Sequence, residues 1–141
     1  MGKGLDGDHE VRTDSERAGL RAEGRWKWMD CKGKRILYVD YRGMKPNEIL
    51  PLMKETNDAV AASRGRVMIL GNVKGAVVTR EVMDYLKKSA RMVLRQRAEK
   101  IAVVGATALL AVFFDSFVVT LERDIARKFG TEEEALEWLS E

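Results

Sequence analysis

The side chains able to do chemistry are few. The chain holds one histidine, His9, and one cysteine, Cys31, so a zinc site built from the usual His and Cys ligands cannot be assembled within it, and Cys–His or Ser–His catalysis would have to recruit His9 from a polar N-terminal stretch. No metal, no cofactor and no catalytic set is expected, and the chain reads as a non-enzyme. Pairs of carboxylates such as Asp40 and Asp115 carry no acid–base role until geometry places them together. Two polar groupings remain. The first follows the apolar run Val67-Met68-Ile69-Leu70, where Gly71-Asn72-Val73-Lys74-Gly75 lies at the C-terminal end of an expected parallel strand, the usual ligand position in open α/β sheets. It lacks the Gly-Lys-Ser/Thr ending of a phosphate-binding loop. Asn72, Lys74 and Thr79 are therefore candidates for a ligand or phosphorylation loop. Thr79 can serve either as phosphate acceptor at a helix N-terminus or as an ordinary N-cap, and the glycines either as a cradle or as a flexible connection. The second grouping is Lys87, Lys88, Arg91 and Arg95, which share one side of an expected helix. This face suits anionic lipid headgroups at a membrane surface or plain solvation. Without interleaved aromatic residues for base stacking, no nucleic acid is expected as partner.

The elements that must position these residues follow from hydrophobic periodicity. Trp26 to Cys31 alternates, the Lys32-Gly33-Lys34 turn follows, and Ile36 to Tyr41 continues as the second arm of a β-hairpin. Ile49, Leu52, Met53, Thr56 and Val60 recur at helical spacing up to about Ser63, with Pro46 and Pro51 near the helix start. Val67 to Leu70 and Ile101 to Val104 are short continuous apolar runs, the mark of strands buried on both faces. Between them a loop from Gly71 to Val78 leads to a helix capped by Thr79, with Val82, Leu86, Ser89, Ala90 and Val93 on one face. Ile125 to Phe129 reads as a last strand, and Thr131-Glu132-Glu133-Glu134 as a capping box opening a terminal helix. The expected fold is α/β, in the order β-β-α-β-α-β-α-β-α, with a mixed, mostly parallel sheet and an antiparallel N-terminal hairpin.

Residues 1–24 are glycine-rich and charged, four basic against six acidic, a net of −2 that leaves +5 for the remainder of a chain whose formal charge is +3. This segment reads as a flexible arm and residues 25–141 as one domain. One cysteine permits no intrachain disulfide, and the N-terminus lacks the apolar core of a secretion signal, so a cytoplasmic protein is expected.

The stretch from Ala106 to Leu121 is apolar in nearly every direction around a helix. Together with the preceding strand it approaches the length of a membrane span, but Gly105, Asp115 and the strand character of Ile101 to Val104 oppose that reading. A helix on a sheet buries only part of its circumference, so an excess of apolar surface is expected to meet a second subunit, another protein, a bilayer surface or an apolar ligand. Leu110, Phe113, Phe114 and Phe117 are the candidates for self-association, with a homodimer the favoured outcome.

The hairpin arm Lys34 to Gly43, the strand Lys100 to Gly105 and the ending Phe129 to Leu139 together resemble the STAS-like proteins of bacteria and archaea, relatives of the sporulation anti-sigma-factor antagonist that are related by fold to CRAL-TRIO lipid carriers. The resemblance spans roughly residues 25 to 141. It implies a regulatory or protein-interaction module, with a carrier or sensor of an apolar or lipid-like ligand as the alternative. In the anti-sigma antagonists a phosphorylatable serine, usually after an aspartate, opens the helix after the buried third strand. Thr79 stands near that place here, and the Asp-Ser pair is missing.

Overall fold

The computed structural model describes residues 24–141. The arm expected over residues 1–24 falls, apart from Gly24, outside the described residues, as does His9. Two hairpin strands, β1 (Trp26–Cys31) and β2 (Lys34–Asp40), are followed by α1 (Pro46–Ala62), β3 (Val67–Asn72), α2 (Arg80–Ser89), β4 (Ala98–Val104), α3 (Ala108–Leu121), β5 (Ala126–Phe129) and α4 (Glu132–Leu139). The strands form one five-stranded sheet in the order β1-β2-β3-β4-β5. The β1–β2 pair is antiparallel and the others are parallel, so the expected α/β order and the mixed sheet are both observed.

Sequential strand order with parallel crossovers of one hand puts the connecting helices on one side of the sheet. Accordingly α1, α2 and α3 pack on the face that carries Leu37, Val39 and Ile101. The opposite face carries Ile36, Met68, Leu70, Ala102 and Val104 and is covered by α4 through Ala135 and Leu139. Each strand residue thus switches face with its neighbour, as the pleat requires.

Local chemistry fixes the ends. Lys45 opens α1, its N–H held by the Glu48 carboxylate at 2.9 Å. Pro46 takes the first position, where its missing N–H costs nothing, while Pro51 is carried inside the helix and forfeits one backbone bond there. Thr79, Thr107 and Thr131 each cap a helix by accepting a backbone N–H, from Val82, Leu110 and Glu134. Gly71 and Asn72 belong to β3 and not to the loop in which the sequence places them. After Ser89 the α2 backbone passes through a π turn, Ala90–Leu94, and a last α-helical turn, Arg95–Arg97. The wider turn rotates every later position relative to an α-helical count. Among the described residues no helix is long and apolar enough to cross a membrane.

Candidate functional site

Between the sheet and α1, α2 and α3 lies an apolar cavity of about 150 Å³. Its floor is the middle of the sheet. Ile69 on β3 and Val103 on β4 point toward the helices from central strands, where a filled core would bury them, yet both are only half-buried. On the opposite face the same strands bury Met68, Leu70, Ala102 and Val104. Gly71, paired with Val39 and Val103, contributes no side chain at all and deepens the floor. Tyr41 sits over it: a Cβ placed on Gly71 would meet the Tyr41 ring at 3.5 Å.

The walls differ in character. On the α3 side stand Leu110, Phe113, Phe114 and Phe117, the Phe114 and Phe117 rings tilted at a centroid distance of 6.2 Å. At the seam of α1 and α2 the lining carries hydroxyl and amide groups: Tyr41, Thr56, Asn57, Tyr85 and Ser89. Burial, reinforced by nearby Tyr85 and opposed by Thr56, pushes the Tyr41 hydroxyl up to about 12. Burial and then Asp58 likewise raise Tyr85. Ser89 donates to the side-chain Oδ1 of Asn57, tying α2 to α1. Tyr41 is half-buried and lines the cavity. A half-enclosed apolar space with a few converging polar groups is the usual form of a small-molecule site.

A second, more open recess of about 390 Å³ lies on the α4 face, lined by Tyr38, Arg42, Asn72, Lys74 and Glu132 among others. Tyr38, Asn72 and Glu132 are already committed to one another. Glu132 accepts from the Tyr38 hydroxyl at 2.6 Å and from Asn72 Nδ2 at 2.7 Å, while Asn72 Oδ1 accepts the Lys74 N–H at 3.1 Å. Arg42 is paired with Asp40 at 2.9 Å. Burial and the Glu132 carboxylate raise Tyr38 to about 12, and Arg42 and Arg25 hold Asp40 below the ordinary carboxylate range against its partial burial. This network fastens α4 to the sheet, and the apolar cavity is the better candidate site.

The residues singled out in the sequence are distributed as follows. Asn72 is buried, its amide bonded to Glu132 on the α4 face, whereas exposed Thr79 caps α2 on the other face. Lys74 packs its backbone against Gly43 and Gly105. Lys88 and Arg91 are exposed and Lys87 is half-buried. Arg95, displaced by the π turn, leaves that face and donates to the Thr120 carbonyl at 2.9 Å, with Glu122 at 3.4 Å. On α3, Leu110, Phe114 and Phe117 are buried in the chain's own core and Phe113 is half-buried. The most exposed large apolar side chains of α3 are Leu109, Val112 and Val119, which the expected self-association set does not include. The residues that sequence reasoning passed over are Tyr41 and Tyr85, while Gly71, read there as part of a loop, lies in the strand that floors the cavity. A glycine inside an apolar strand run was the available signal, since a central strand carries one where something must approach its backbone closely. Among the described residues, no group of three or more His, Cys, Asp or Glu side chains is placed to hold a metal ion.

Comparison with protein-family models and with curated proteins finds no match.

Proposed function

We propose that this chain is a non-enzymatic STAS-like module of the cytoplasm whose helical-face cavity takes up a small apolar ligand, as carrier or sensor. The observation that carries this reading is the half-exposed centre of the sheet: Ile69 and Val103 keep accessible surface beneath three helices, beside a glycine. Apolar surface left open in an interior forfeits both dispersion contacts and transfer free energy, so an occupant of matching shape is stabilised on entry. Native mass spectrometry of the protein purified from its own host, followed by organic extraction, tests the reading. A retained apolar molecule is the expected result, and Val103→Phe, which fills the floor, is expected to release it. A ligand-free wild type that also takes up no apolar probe would refute the proposal.

A second reading has its own observation. Leu109, Val112 and Val119 are 66%, 64% and 76% exposed on one side of α3, with Met92 65% exposed in the π turn that packs beside it. Such a row suits self-association or a protein partner, consistent with a regulatory interaction module.

A further inference from the structure

We infer that the cavity selects a neutral ligand with a hydroxyl at one end and rejects carboxylates and phosphates, an inference that rests on the ligand-binding reading above. Among the described residues, every one that lines the cavity is uncharged. Cations close to its walls do not line it: Lys128 meets the outer side of the wall at the Phe114 ring, 5.6 Å from its centroid, and Arg95, its Nε buried without a partner, is drawn toward the Thr120 carbonyl and Glu122. An ionised headgroup drawn in among the phenylalanines would lose its hydration and gain no counter-charge.

The polar wall offers a place for a neutral group instead. Thr56 Oγ1 lies 3.0 Å from the Leu52 carbonyl, to which its proton is donated. Tyr41, Tyr85 and Ser89 add hydroxyl groups to the same wall, and a hydroxyl can both donate and accept. A neutral hydroxyl on the ligand can bond there without bringing a charge in among the apolar walls. Phenylalanines on one wall and hydroxyls on the other therefore fit a molecule with an apolar body and one uncharged polar end.

The test uses three probes of one shape, naphthalene, 2-naphthol and 2-naphthoate, titrated calorimetrically into the full chain at neutral pH. Binding of 2-naphthol with 2-naphthoate at least ~100-fold weaker is expected, and 2-naphthoate should gain affinity as the pH falls toward the pKa of its own carboxyl group. Tyr41→Phe should weaken 2-naphthol roughly fivefold and leave naphthalene unchanged. Equal affinities for 2-naphthol and 2-naphthoate, or a Tyr41→Phe variant that binds 2-naphthol as the wild type does, would overturn the inference while leaving the cavity reading in place. If none of the three binds, the cavity reading falls and takes the inference with it. Should Tyr41→Phe fail to fold, the pH dependence of 2-naphthoate binding to the unaltered chain decides the question of charge alone.

Discussion

Replacing Gly71 by alanine sets the space above the sheet against the cost of glycine in a strand. Gly71 lies inside β3 with an ordinary extended backbone, hydrogen-bonded between β2 and β4. A Cβ there would stand 3.5 and 3.8 Å from two carbons of the Tyr41 ring, ordinary van der Waals contact. Two effects then act in the same direction. Alanine lowers the entropy of the unfolded chain, worth about 0.4–1 kcal/mol, and its methyl group is withdrawn from water into apolar surroundings, worth at most ~0.8 kcal/mol and less where it faces open cavity. Gly71→Ala is therefore expected to stabilise the domain by about 1 kcal/mol, raising Tm by about 3–6 °C. Urea denaturation followed by tryptophan fluorescence should show the midpoint rising by roughly 0.5 M without a change in slope. A loss of 1 kcal/mol or more would refute the reasoning, because it would mean that the Tyr41 ring is pressed onto the strand and that the floor is closed. The native glycine would on this account be kept for the room it leaves, a familiar exchange of stability for function.

Three further outcomes are expected. Asn72→Ala removes a buried amide that serves Glu132 and the Lys74 N–H at once and should cost about 2–3 kcal/mol in urea denaturation; a loss under about 0.5 kcal/mol would show that water replaces it. Tyr38 and Tyr41 are raised from 10.0 to about 12 in the folded state, so their contribution is intact below pH 10 and lost as the pH rises from 10 toward 12. Alkaline unfolding in that window should be shallower in Tyr41→Phe, and an identical profile would remove Tyr41 from the account. Glutamate at both Val112 and Val119, each exposed on α3, should leave thermal stability within about 0.5 kcal/mol and reduce the mass measured by light scattering if that row joins two copies; a wild type that is already monomeric rules the dimer out.

What the sequence disclosed and what it withheld divide along a physical line. Alternation and short apolar runs place the hairpin and the parallel strands because the pleat and burial on two faces leave a local mark. The threonine caps are legible for the same reason, each being a bond between a side chain and a backbone only a few residues away. The orientation of α3 was not legible, because a helix apolar on all sides has no preferred face; it is the sheet beneath that selects Leu110, Phe114, Phe117 and Leu121 for burial and turns Leu109, Val112 and Val119 outward. The π turn was equally silent: Ala90 to Leu94 carry no residue that forbids an α-helix, and the choice of backbone partner there alters where Arg95 points. The cavity is the extreme case. Ile69 and Val103 read as core residues by type and by position, and nothing within their own strands distinguishes a filled interior from an open one. The difference lies in how far three helices, separated in sequence by the strands they cover, stand from the sheet. It is a property of volume, to which Gly71 supplies the single local hint, and a binding function built from volume rather than from reactive groups leaves correspondingly little trace in residue types.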